Sequence, residues 1–125
     1  MQNTFGKSYK LCSKIQISKL FNKGKRISNG GITIIYLNDK RDFENPFQVM
    51  ISVPKKRYNK AVERNHIKRL CREGIRKNKL ILESHLLNKQ KKIAFVLNYT
   101  SNELPNHEVI DAQIKLLFQK LINHV

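Results

Sequence analysis

The sequence predicts an α/β chain whose elements run helix, two or three strands, helix, strand, helix. Two kinds of periodicity lead to that reading. Runs at 32–37, 47–53 and 91–99 are rich in β-branched and aromatic residues and have strand character. The stretches that follow Ser13, Lys60 and Asn106 instead repeat apolar residues at three- and four-residue intervals, the period of a helix. Size and composition agree: 125 residues, 40% hydrophobic and 27% charged, suit one globular domain spanning 1–125. A domain near that size buries roughly two thirds of its unfolded surface, enough for a core without staples.

The first helix is expected at about 14–22. Ser13 and Gln16 fit a capping box, Ile17, Leu20 and Phe21 share one face, and Gly24 suits a stop just past the end. The runs at 32–37 and 47–53 follow, and the Asp, Asn and Pro of 38–46 predict a polar hairpin loop joining them. Asp39, Asp42 and Glu44 are expected in that loop as a hydrated turn. Residues 25–29 supply a further short strand before the Gly30-Gly31 break. From Lys60 the period becomes helical, with Ile67, Leu70, Cys71, Gly74 and Ile75 as a core-facing stripe. This helix either continues or restarts through Leu80 to Leu87. Residues 91–99 form the last strand, with 93–97 buried, and 101–105 a loop. Asn106 caps a final helix with Glu108 and Asp111 toward its first turn; Ile110, Ile114, Leu117 and Leu121 form its buried face.

Charge narrows the function. Twenty-five Lys and Arg against nine Asp and Glu give +16 and a pI near 10.2. Self-repulsion on that scale calls for a polyanionic partner, nucleic acid first and an anionic membrane second. The first ten residues lack an apolar core, so no signal peptide is expected, and no run of about 18 apolar residues offers a membrane span. Cys12 and Cys71 are expected as free thiols in a reducing cytoplasm. The four histidines, at 66, 85, 107 and 124, are not in metal-ligand spacing.

More than half of the net charge lies in one fifth of the chain. Residues 55–79 hold eleven basic side chains against Glu63 and Glu73. Lys60, Arg64, Lys68, Arg72 and Arg76 recur every four residues, about 6 Å apart along a helix. That row is expected to face away from the apolar stripe. Charged helix faces are most often merely solvated, but those usually mix signs. A phosphate track would relieve the repulsion, and arginine's planar fork suits phosphate well. A membrane is the weaker partner, because the apolar face is needed for the core and carries no Trp or Phe anchor.

Across Val53 to Lys79, residues Val53, Lys55, Lys56, Ala61, Val62, Arg64, Asn65, Lys68, Arg69, Arg72 and Glu73 stand in fixed register. Their pattern closely resembles the signature of the bacterial ribonuclease P protein, strongly in the middle third of the chain and weakly at its ends. The resemblance implies an α+β sandwich, with a small mixed sheet and a left-handed crossover around the basic helix. It implies a protein subunit of an endoribonuclease that removes the 5′ leader of precursor tRNA, paired one to one with a catalytic RNA that binds most of the Mg2+. The RNA-binding residues would be Lys55, Lys56, Arg57, Lys60, Arg64, Asn65, Lys68, Arg69, Arg72 and Arg76. A cleft between the first helix and the sheet would hold the leader, with Phe21, Tyr36 and Ile17 as its candidate residues. For Phe21 and Tyr36, ordinary packing is the competing role.

Four positions depart from the family pattern. His66 stands where a third basic residue, Arg, is usual; Asn59 replaces a frequent Gly, Pro54 a frequent Ser or Ala, and Ile17 an aromatic. No carboxylate cluster or nucleophile constellation points to a protein-only nuclease, so no catalytic residue is assigned to the chain itself. The alternative reading is a non-catalytic, ribosome-associated RNA-binding protein, which explains the charge but not the register.

Overall fold

The computed structural model describes residues 9–40, 45–101 and 103–125. Its elements are α1 (Lys14–Lys23), β1 (Lys25–Asn29), β2 (Ile32–Asn38), β3 (Phe47–Ser52), α2 (Ala61–Asn88), β4 (Ile93–Tyr99) and α3 (His107–Leu121). Local signals set the helix starts. Ser13 Oγ accepts from the Gln16 amide at 3.3 Å, and Asn106 Oδ1 accepts from the Val109 amide at 2.9 Å. Gly24 does stop α1, but in an extended conformation (φ −67°, ψ 148°), its N–H donating to Leu20 O. Asp111 does not serve the first turn of α3; it accepts from Asn78 Nδ2 at 2.7 Å and ties α3 to α2.

The helix after Lys60 does not break. At 28 residues α2 is about 42 Å long. It ends in a turn that the sequence hides: Lys91 N–H reaches Leu86 O, Gln90 N–H reaches Leu87 O, and Gln90 takes φ 54°. Those bonds are the helix-ending pattern that glycine usually completes.

One four-stranded sheet runs in the order β1-β2-β4-β3. The β1–β2 hairpin turns at Gly30, whose φ of +60° is open to glycine at little steric cost. The β2–β3 hairpin expected from 38–46 does not exist. β4 lies between these strands, antiparallel to β2 and parallel to β3, and β3–α2–β4 forms the crossover between the parallel pair. A central position requires burial on both faces, and residues 93–97 are all buried. Asp39 is not a hydrated loop residue: it is 6% exposed, with its N–H on Lys92 O at 2.8 Å. Asp42 and Glu44 lie outside the described residues.

The faces of the sheet divide the molecule. Ile32, Ile34, Tyr36, Phe47, Phe95 and Leu97 point to the α2 and α3 side, where they meet Ile67, Cys71, Ile75, Ile110, Ile114, Leu117, Phe118 and Leu121. Gly74 permits the close approach of α2 and α3, since a Cβ there would lie 2.6 Å from Ile114 Cδ1. Leu11, Leu20, Ile35, Ala94 and Val96 form a smaller cluster under α1. A buried polar clamp ties the segment before α1 to α2. Tyr9 OH donates to Glu83 Oε1 at 2.5 Å, and Lys79 Nζ lies 3.4 Å from that hydroxyl and 4.0 Å from Glu83.

Candidate nucleic-acid interface

The basic face begins in the loop that enters α2. Arg57 and Tyr58 turn their amides back onto Pro54 O, a tight turn that leaves Lys55, Lys56 and Arg57 exposed. Tyr58 is the anchor. Its ring is buried beside Tyr99, and its hydroxyl is shared between the carbonyls of Ser101 (2.9 Å) and Glu103 (2.8 Å). Burial pushes both phenols above their ordinary pKa, so Tyr58 and Tyr99 remain protonated donors. Sequence reasoning passed over Tyr58. The available signal was a single aromatic within a polar basic run, a position with no reason to be aromatic unless it turns inward.

Arg64 holds the same loop from the helix side. Its Nη1 donates to Tyr58 O at 2.9 Å and Asn59 O at 3.0 Å, while Nη2 and Nε are left for an outside acceptor. Lys60 caps α2 without a side-chain bond, so first-turn amides add to the positive field.

The four-residue row does not form one outward face. Each four-residue step overshoots a 3.6-residue turn by ~40°, so the row winds around the helix. Arg64 and Lys68 come to lie on its flank, half-buried, whereas Arg72 is exposed. The exposed strip of the first half of α2 is Val62, Asn65, His66, Arg69 and Arg72, with the half-buried Arg76 beyond. Arg76 is engaged: it forms an ion pair with Glu73, and its Nε donates to the same carboxylate oxygen at 3.1 Å. That bond holds the Glu73 carboxyl below the usual range. Lys79, counted with the basic segment by sequence, is 3% exposed and belongs to the Tyr9–Glu83 clamp.

On the other sheet face α1 packs on β2 and β4, and Gln48, Met50 and Ser52 of β3 stay half-exposed. Ile17, Leu37 and Met50 rim the small core cluster there. Phe21, 43% exposed, shares a flank of α1 with Ile17. Tyr36 does not belong to this groove. Side chains alternate along a strand, so its neighbours Ile35 and Leu37 face α1 while Tyr36 is 5% exposed in the opposite core. Toward one end the face turns polar, through the cross-strand row Ser28, Thr33, Asn98 and Ser52. Asn98 Oδ1 is buried there without a hydrogen-bond partner among the described residues.

No group of three His, Cys, Asp or Glu able to hold a metal ion occurs among the described residues, and no described helix is long and apolar enough to cross a membrane. Both cysteines are free, Cys12 exposed and Cys71 buried.

Comparison with known proteins gives one consistent result. The family model described as ribonuclease P matches residues 5–121. The chain is 29% identical over 124 residues to the ribonuclease P protein component of Porphyromonas gingivalis, covering 98% of this chain and 90% of that one. It is 32% identical over 121 residues to the Chlorobaculum tepidum component, covering 89% and 78%. In fold it is similar to the RNase P proteins of Staphylococcus aureus (TM-score 0.71, 20% identity, 90% of this chain and 94% of that chain) and Thermotoga maritima (TM-score 0.71, 20% identity, 89% and 96%).

Proposed function

The chain belongs to the ribonuclease P protein family, and from that premise we propose how its two faces divide the work of one ribonucleoprotein. It is the protein component of ribonuclease P, an endoribonuclease that acts as an RNA–protein complex. In our reading the exposed strip of α2, with the 55–57 loop, docks on the ribonuclease P RNA. The observation that carries this is that Lys55, Lys56 and Arg57 on the entering loop and Asn65, Arg69 and Arg72 on α2 are all exposed, with the loop tied to the start of the helix by Tyr58 and Arg64. Rigid placement of cations matters because every freely moving lysine loses side-chain entropy when it is ordered.

The groove beside α1 takes the single-stranded 5′ leader of precursor tRNA. Support comes from the half-uncovered β3 face and from Phe21, whose exposed ring can stack a base for ~1–3 kcal/mol. Among the described residues no three His, Cys, Asp or Glu side chains come together as a metal site, and Glu83 is bonded to Tyr9, Glu73 to Arg76 and Asp111 to Asn78. In the same reading Mg2+ sits mainly on the RNA, and the protein contributes charge neutralisation and substrate positioning in a one-to-one cytoplasmic complex.

Reconstituted cleavage of precursor tRNA tests this. At low Mg2+, removal of the leader should require both this protein and a ribonuclease P RNA. Cleavage by the RNA that is indifferent to added protein would sink the proposal. Recovery of ribosomal RNA as the sole RNA bound in cells would favour the ribosome-associated alternative.

A further inference from the structure

We infer that the end of the sheet remote from the α2 N-terminus carries a second RNA-phosphate surface, formed by Lys23, Lys25, Lys40, Lys89 and Lys91. The inference rests on RNA as the ligand and adds a contact that neither the α2 strip nor the α1 groove contains. Topology brings these lysines together from separate parts of the chain. Lys25 opens β1 opposite Tyr36 near the end of β2, Asn38 pairs with Ile93 at the start of β4, and Asp39 N–H bonds Lys92 O. Those three strand ends are therefore neighbours, ~5 Å apart from strand to strand. α1 reaches the same end through Lys23 and Gly24, and α2 reaches it through the turn at Lys89, Gln90 and Lys91.

All five lysines are exposed, and none makes an ion pair among the described residues. The described acids nearest in sequence, Asp39 and Glu83, are both buried. Asp42 and Glu44 lie outside the described residues; Lys92 is half-buried and engaged, so it is not counted in the surface. The bonds from Lys91 and Gln90 back to Leu86 and Leu87, with Gln90 in the left-handed region, fix the backbone that presents Lys89 and Lys91. Helix dipoles are the competing explanation, since the negative ends of α1 and α2 both lie here. They act within the last turn and so account for Lys23 and Lys89, but not for Lys25, Lys40 and Lys91.

The first basic surface begins at the other end of α2, ~42 Å away. At ~3.4 Å per nucleotide in a stacked strand, an RNA touching both ends needs roughly a dozen nucleotides.

The test is the salt dependence of binding to a 24-nucleotide single-stranded RNA, followed by fluorescence anisotropy. A variant carrying Lys25→Gln, Lys40→Gln, Lys89→Gln and Lys91→Gln should shallow the slope of log K against log salt by ~2–3, at ~0.7 per phosphate contact. The matching Lys→Arg variant should retain the wild-type slope, and both should melt as the wild type does. Lys68→Gln/Arg72→Gln serves as the α2 control. An unchanged slope in the Lys→Gln variant, with a shallower one in the α2 control, overturns the second surface alone. Unchanged slopes in both overturn RNA binding by these faces altogether. Tighter binding of these lysines to phosphatidylserine vesicles than to the RNA overturns RNA as the occupant.

Discussion

Arg64 and Lys68 both lie on the flank of α2, yet the structure gives them different work, and alanine substitutions should separate it. Lys68 is half-buried and makes no hydrogen bond or ion pair among the described residues. Its loss should leave stability near wild type and remove one phosphate contact. For the ribonuclease P RNA that is ~0.7–0.9 in the slope of log K against log salt. Between 50 and 200 mM salt the variant should therefore lose about threefold less affinity than the wild type loses. Arg64 makes two bonds to the carbonyls of Tyr58 and Asn59 and keeps Nη2 and Nε for phosphate. A bond from a charged donor contributes about 1.5–3 kcal/mol when well shielded. One of these is exposed, so competition from water leaves about 1 kcal/mol for the pair. In a chain of this size that corresponds to a Tm lower by roughly 3–6 °C. Arg64→Ala should thus lower Tm and shallow the salt slope, whereas Lys68→Ala should shallow the slope only. Differential scanning calorimetry and filter binding across a salt series read the two quantities independently. Equal Tm for both variants would show that Arg64 does not hold the loop. A Lys68→Ala slope identical to wild type would remove the flank from the interface.

Three further outcomes are expected. Tyr58→Phe removes the hydroxyl that joins the 55–57 loop to Ser101 and Glu103, so stability should fall by about 1 kcal/mol in denaturant unfolding, and RNA affinity should fall without loss of any charge; full retention of both would refute the anchoring role. Lys79→Met leaves the buried Glu83 carboxylate without its cation and should cost about 3 kcal/mol, while Lys79→Met/Glu83→Leu should recover much of that loss; a double variant no more stable than the single would contradict it. Burial pushes the Cys71 thiol up to about 12, so its reactive thiolate is nearly absent at pH 8, and iodoacetamide should label Cys12 alone until denaturant is added; native labelling of both would show that the seam between α2 and α3 opens.

The parts of this fold that the sequence reveals are those decided within a turn or two of chain. Ser13 and Asn106 cap their helices because a side-chain oxygen three residues from an orphan amide is a local arrangement. Strand order is not local. The loop at 38–46 has hairpin composition, but β4, more than fifty residues beyond β2, takes the place beside it. The same burial hides which way Tyr36 points. In Ile32–Asn38 both faces are covered, so the apolar alternation that would assign Tyr36 to α2 and α3 rather than α1 is lost.

Charge behaves in the same way. A dense basic segment is legible as an interface because its sum survives any folding of its parts, but the role of each member depends on where its side chain ends. Lys79 is drawn inside by Tyr9, seventy residues earlier; Arg76 is neutralised by Glu73; Arg64 divides itself between loop and solvent. Lys25, Lys40 and Lys91 show the converse. Separated in sequence, they read as scattered solvated residues, and only strand register makes them neighbours. A tight four-residue repeat overstates one basic face, while scattered lysines understate another. The outward charge of this chain is therefore better measured by what its sheet ends and helix flanks expose than by where its basic residues crowd along the sequence.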